Sequence, residues 1–523
     1  MSVAEQHTDR ALRRLDWRWL LGAPYPPSSV VFGAQTMLTE GLQQISERVV
    51  AASGAVPDEG FDLAVVVNPR RAVLDRAWRS LRPGGACYSA WYWPFSGGAR
   101  GVSRRLRAAR FDMLGCYMPW PVPPFRTPRV WLPVDQPGAV NYFLSSRPRT
   151  RSPARELSRR LLRQLWRASL KLGFGLPICA LACKPPIGHT PGSEPLLEWV
   201  RGNWSSWQLG PTPEHLSSLL LTGGPRTSSK VVALIFGEPE ARPRVALKMA
   251  RTPEAAASLR AEATALETLR QQRPDMNGVP RLVFWRVDDR VHMQGQEARL
   301  GTPLFARLTP RTYRGLALQV TDWLIQLAGQ PRRRPREAWW DRLVEPVLAD
   351  FGDCFGPVVD HDLLARTRAG ISRIDSLPIV FEQGDLWTGN VLVQEDGQLA
   401  VLDWESANPE GLPARDLLYF LADLVFFHDN AFGSRQFGAS YRASLDPTTP
   451  TGAVWAECLE RYAGALQLTP HELQGLRLLA WLAHACWDYH LLASRLSRTP
   501  DPTTARTIRF VDLWLEEARR WSS

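Results

Sequence analysis

In the stretch FEQGDLWTGNVLVQEDGQLAVLDWE, residues 381–405, the carboxylates of Asp385 and Asp403 and the amide of Asn390 are the groups that could do chemistry. Their oxygens are hard donors. Mg²⁺ uses such donors sparingly, taking one or two from the protein and leaving its other positions to phosphates and water. The residues between them say how they meet. Two apolar, strand-like runs at 391–393 and 399–402 flank Glu395-Asp396-Gly397-Gln398, and Asp-Gly between such runs is a strong two-residue hairpin signal. With Asp396 and Gly397 as the turn, Asn390 lies directly opposite Asp403, Cβ atoms about 5 Å apart on one face. Asp385 sits in the loop after a strand predicted at 377–381. Read for structure alone, the stretch is an ordinary hairpin with polar ends.

Two more charged residues stand in apolar settings. In RVALKMA, residues 244–250, alternation puts Val245, Leu247 and Met249 on one strand face and Ala246, Lys248 and Ala250 on the other. A helix is predicted from Pro253 to about Leu269, with Thr252 as its N-cap. On it Leu259, Glu262, Leu266 and Leu269 form one stripe. A glutamate in an apolar seam is costly without a partner, and Lys248 on the preceding strand is the natural one. A strand lysine paired with a helix glutamate is the device by which kinases orient the α- and β-phosphates of a nucleotide.

The elements that position these residues are spread over 523 residues, too many for one ordinary core. Residues 1–190 read as α/β, with a buried strand at 61–67, a helix at 72–81, an Arg82-Pro83-Gly84-Gly85 turn into a second strand at 86–92, and a last strand within PICALACK at 177–184. Proline, glycine and serine cluster in KPPIGHTPGSEP, residues 184–195, which marks a boundary and a linker at 191–204. Residues 205–305 follow as strands, including LLLTGGPRTSSKVVALIF at 219–236, and residues 306–523 as helices. The seven cysteines form no CxxC pair or zinc-ligand spacing, which suits a reducing compartment. With no leader pattern and no apolar run of spanning length, the reading is a soluble cytoplasmic protein.

Charge is uneven. The whole chain carries +11, yet residues 100–170 hold fifteen arginines against Asp112, Asp135 and Glu156. Part of this excess lies on SPARELSRRLLRQLWRASLKLG, whose Leu157, Leu161, Leu162, Leu165, Trp166 and Leu170 recur at helical spacing. Such a helix either packs its stripe on the core or lies on an anionic membrane surface or an acidic partner. No nucleic-acid motif accompanies the charge.

The segment FDLAVVVN…LDRAWRSLRPGGACYSAWY resembles the later half of a class I SAM-dependent methyltransferase. That resemblance implies a Rossmann-like N-terminal domain. SSVVFGAQTML at 28–38 lacks the acidic-x-Gly-x-Gly loop of that family, so SAM is not expected to bind.

From about residue 205 the sequence resembles the aminoglycoside phosphotransferase and choline kinase family, most specifically in GDLWTGNVL followed by LDWE. The resemblance implies an α+β, bilobal, protein-kinase-like fold and an ATP- or GTP-dependent, Mg²⁺-dependent transfer of phosphoryl to a hydroxyl of a small molecule such as a sugar or amino sugar. Asp385 would orient or deprotonate the acceptor, Asn390 and Asp403 would hold Mg²⁺, and Lys248, positioned by Glu262, would meet the nucleotide. Thr222, Gly223, Gly224, Ser228 and Ser229 would form the loop over the phosphates. Gln294 would lie in the hinge against adenine, which the resemblance places at 293–301. Asp416, Asp423, His428, Asp429, Trp487, Asp488 and His490 are candidates to face the acceptor. The family has histidine where this chain has Gln383. Glutamine also donates and accepts hydrogen bonds, so the substitution weakens the resemblance without cancelling it. Two other classes stay open, a nucleotide-binding regulator without turnover and a methyltransferase regulated by a kinase-like half.

Overall fold

The computed structural model describes residues 11–522 apart from 22, 34, 53, 55, 93–96, 122–126, 146–163, 165–176, 187–193, 224–229, 289, 290 and 497. The amphipathic stretch apart from Gln164, and the loop residues Gly224, Ser228 and Ser229, lie outside the described residues. Two compact units divide the chain: Val3–Leu259 with Leu282–Ala298, and Arg260–Arg281 with Arg299–Ser523. No helix among the described residues is long and apolar enough to cross a membrane.

The first unit is built on a 12-stranded sheet. In chain order its strands are β1 (Ser28–Phe32), β2 (Arg48–Ala52), β3 (Phe61–Val67), β4 (Leu81–Trp91), β5 (Asp112–Trp120), β6 (Val130–Pro133), β7 (Ile178–Cys183), β8 (Leu216–Leu221), β9 (Val231–Gly237), β10 (Pro243–Met249), β11 (Leu282–Val287) and β12 (His292–Glu297). They are arranged β11-β12-β10-β9-β8-β6-β5-β7-β4-β3-β1-β2. Pairing is parallel from β2 through β1 and β3 to β4 and antiparallel elsewhere.

A parallel strand buried on both faces reads as a continuous apolar run, and FDLAVVV is one. Leu63 and Val65 enter one core with Trp17, Trp131 and Trp204. Ala64 and Val66 enter another with Leu74 and Ala77 of α2 (Arg71–Ser80) and Val102 and Leu106 of α3 (Gly98–Ala108). Helix α1 (Thr36–Leu42) follows β1, and α4 (Pro137–Ser145) follows β6.

The strand blocks expected at 1–190 and 205–305 share this one sheet. They join where Val130 and Trp131 of β6 pair with Leu221 and Leu220 of β8. The sequence 191–204, read as a linker, contains α5 (Pro195–Asn203). Composition marked a boundary there, but the join is a strand pairing between segments about ninety residues apart, which local composition does not encode.

The second unit begins within α6 (Pro253–Gln272) at Arg260. It carries the small sheets β13 (Thr302–Pro303) with β17 (Val391–Val393) and β18 (Leu399–Val401), β14 (Arg333–Pro335) with β15 (Ser376–Pro378), and β16 (Val380–Glu382) with β19 (Asn408–Gly411). Its longer helices are α7 (Tyr313–Ala328), α8 (Glu345–Phe355), α9 (His361–Ile371), α10 (Arg415–His428), α11 (Phe437–Ser444), α12 (Pro450–Leu466), α13 (Pro470–Leu496) and α14 (Arg509–Ser522). Helix α10 is apolar all round apart from a few positions, and it is buried along nearly its whole length.

Candidate active site

The hairpin β17–β18 forms as predicted, one residue out of register. Val391 pairs with Val401 and Val393 with Leu399, so the loop is Glu395-Asp396-Gly397. Gln394 N–H donates to Gln398 O at 2.9 Å, and Gly397 takes φ +83°. A turn whose third loop residue is a left-handed glycine is the usual three-residue alternative to the two-residue type. Asn390 therefore faces Leu402, whose N–H donates to Asn390 O at 2.8 Å, and not Asp403 as predicted. Asp403 lies one residue beyond the paired position, at φ +61°. That conformation is uncommon for a residue with a Cβ, and it is held by the hydrogen bonds around it.

Those bonds centre on Gln383, which is fully buried. Its Nε2 donates to Leu402 O at 3.0 Å and to Asp403 O at 2.6 Å, and its Oε1 accepts from Asp385 N–H at 2.9 Å. One amide side chain thus fixes the backbone of both carboxylate-bearing segments. Asn390 Nδ2 donates to Asp385 O at 2.9 Å and to Asp385 Oδ2 at 3.3 Å, which leaves its Oδ1 as the atom suited to a cation. Glu262 on α6, also fully buried, accepts from Trp404 N–H at 3.3 Å and so secures the residue after Asp403.

Two acids of α10 brace the loop from the other side. Asp416 accepts from Gln383 N–H at 2.6 Å and Gly384 N–H at 2.9 Å. Asp423 accepts from Thr388 N–H at 3.0 Å and from its hydroxyl at 2.6 Å. Both are buried and serve backbone, so neither is placed as an acceptor-facing group. Two acids seven residues apart on one face of an otherwise apolar helix were the sequence signal for this bracing.

Among the other acceptor candidates, His428 Nδ1 lies 2.7 Å from Asp429 Oδ1, Trp487 is exposed, and His490 contacts Asp350.

Burial first, and then the charges of Asp403, Glu405 and Asp416, push the Asp385 carboxyl up to about 7. Glu405, the last residue of LDWE and given no role in the motif reading, is a member of this acidic group. Acidic oxygens crowded against one another, with an amide oxygen beside them, fit a hard divalent cation, whose charge would relieve the repulsion.

In the first unit, Lys248 lies mid-strand on β10 between Val232 of β9 and Gln294 of β12. Gln294 is also paired with Trp285 of β11, so its backbone serves two strand ladders. Of the segment expected as hinge, 293–297 is strand. Thr222 is buried, with its N–H donating to Arg129 O and its hydroxyl to Pro128 O at 3.0 Å. Its carbonyl accepts from Arg251, which forms a buried bidentate pair with Asp16 at 3.0 and 2.7 Å. Gly223 follows at φ +53°.

No family model matches the sequence, and no curated protein matches it. Solved structures similar to this chain include a choline/ethanolamine kinase family protein from Mesorhizobium loti, at 15% identity and TM-score 0.36 over 62% of this chain and 98% of that one. An aminoglycoside phosphotransferase from Streptomyces rimosus gives 17% identity and TM-score 0.32 over 55% of this chain and 97% of that one. An ethanolamine kinase from Plasmodium vivax gives 12% identity and TM-score 0.39 over 58% and 83%. At TM-scores below 0.5, the functional reading rests on the site's own residues.

Proposed function

We propose that the chain is an ATP- or GTP-dependent, Mg²⁺-dependent phosphotransferase acting on a hydroxyl of a small molecule. The observation that carries this reading is the single network in which Gln383 ties the backbone of Asp385 to that of Asp403, with Asn390 bonded to Asp385. Phosphoryl transfer asks a protein for positioning and charge compensation more than for covalent chemistry, and a rigid acidic pair with an amide supplies both.

In this reading Asp385 orients the acceptor hydroxyl and takes its proton. Asn390 and Asp403 would hold Mg²⁺, which when bound supplies charge neutralisation at the phosphate oxygens. Lys248 is assigned to the nucleotide phosphates and Glu262 to positioning Lys248, as well as accepting from Trp404 N–H. A regulator without turnover, motivated by Gln383 in the histidine position and by the modest glycine loop, is the alternative; the hydrogen bonds by which Gln383 holds the loop together favour turnover.

The parallel strand order β2-β1-β3-β4 is that of a doubly wound sheet, and it supports reading residues 1–190 as a methyltransferase-like accessory part. No SAM binding is expected of it. ADP release in the presence of hydroxylated small molecules tests the main reading. Asp385→Asn should abolish turnover while nucleotide binding persists, and full turnover in that variant would exclude the assigned role.

A further inference from the structure

Away from the hairpin, helices α8 and α13 bring two pairs of side chains together, each pair one helical turn apart: Asp350 and Cys354 on α8, and Cys486 and His490 on α13. His490 Nε2 lies 2.9 Å from Asp350 Oδ1, Cys354 Sγ lies 3.4 Å from the same oxygen, and Cys354 Sγ is 3.9 Å from His490 Nε2. One ligand atom from each of the three falls within 4.8 Å of the other two. Ligands of a tetrahedral zinc ion, at about 2.0–2.3 Å from the metal, stand about 3.3–3.8 Å from one another. The observed separations bracket that range to within a few tenths of an ångström.

Cys486, one turn before His490, is buried with its thiol 4.0 Å from Val347 O and stands outside this three-residue group. The imidazole of His490 is 58% exposed and the Asp350 side chain 38% exposed, so an ion can reach the cluster from solvent.

We propose that Asp350, Cys354 and His490 bind a zinc-class divalent cation that clamps α8 to α13, its fourth position open to water. Sulfur and imidazole ligands select Zn²⁺ over Mg²⁺ and Ca²⁺, so this site is chemically distinct from the oxygen site at Asn390 and Asp403. Binding converts the Cys354 thiol to a thiolate, and its proton leaves to solvent. The two pairs are more than a hundred residues apart in sequence, which explains why no local zinc-ligand spacing betrays them.

The test uses the full chain, reduced and stripped of metal, titrated with Co²⁺ as a spectroscopic stand-in for Zn²⁺. The expected result is one equivalent of Co²⁺ giving a thiolate-to-cobalt charge-transfer band, abolished by Zn²⁺, together with a higher melting temperature in Zn²⁺. Cobalt at the oxygen site has no sulfur ligand and cannot give that band. Cys354→Ser should remove the band, and the exposed-site variant His490→Ala, which spares the core, should weaken binding by more than the roughly 10- to 100-fold that loss of an outer-shell partner costs. A band unchanged in both variants would overturn the proposal. So would a reduced chain that takes up no cobalt through sulfur and instead forms a Cys354–Cys486 disulfide on oxidation.

Discussion

Gln383 Nε2 lies 2.6 Å from the main-chain oxygen of Asp403 while Gln383 Oε1 accepts from Asp385 N–H, so one side chain spaces the two carboxylates. Gln383→Leu keeps the volume and removes all three hydrogen bonds. It leaves two carbonyls and an N–H unpaired in a fully buried place, at a cost of about 3 kcal/mol. Denaturant unfolding should show that loss. Gln383→His retains a donor and an acceptor and should keep most of the stability and the nucleotide binding. Equal stability of wild type and Gln383→Leu would show that the network does not hold the loop.

Gly384 has φ +86°, and a Cβ there would collide with the carbonyl of Ser406. Gly384→Ala meets both a strained backbone and an overfilled contact, each worth about 1–3 kcal/mol. The expected outcome is a destabilised chain with weakened Mg²⁺-nucleotide binding. Calorimetry and thermal unfolding of the same preparation check the two effects together, and unchanged behaviour in both would mean the loop and the Asp403 segment are not closely fitted.

Glu194 titrates in the folded chain far from its usual range. Burial raises it to about 8, against lowering by hydrogen bonds from Tyr117 and Ser218. The folded state therefore keeps a proton that the unfolded chain releases near 4.5. The stability from this proton is complete below about 4.5 and is lost as pH rises through about 8, at up to about 1.4 kcal/mol per pH unit. Glu194→Gln removes that loss, so its stability relative to wild type should climb between pH 5 and pH 8 by about 1 kcal/mol per unit. Glu382, also raised to about 8 by burial, keeps its own dependence in both proteins and cancels from the difference. A flat difference across this range would place Glu194 in a solvated setting.

The strand at 61–67, the Lys248 strand and the β17–β18 hairpin were legible because period-2 alternation and Asp-Gly are local signals. The register of the hairpin was not. Gly397 can occupy the second or the third loop position, and the choice shifts every pair by one, which moved Asn390 from Asp403 to Leu402. The joining of β6 to β8 and the meeting of Cys354 with His490 depend on contacts between distant segments, for which single-sequence patterns carry no information. The roles of Asp416 and Asp423 lie between these cases. Two acids in an apolar helix announce a buried task, but only the structure shows that the task is to hold the backbone of residues 383–388.

The central claim is that Asn390 and Asp403, positioned with Asp385, hold a metal-nucleotide complex. Calorimetric titration of a non-hydrolysable ATP analogue, with and without Mg²⁺, into wild type, Asp403→Ala and Asp385→Ala tests it most directly. The account predicts Mg²⁺-dependent binding in wild type, retained in Asp385→Ala and lost or strongly weakened in Asp403→Ala. Binding of equal strength in wild type and Asp403→Ala, or none in wild type with Mg²⁺ present, would contradict it.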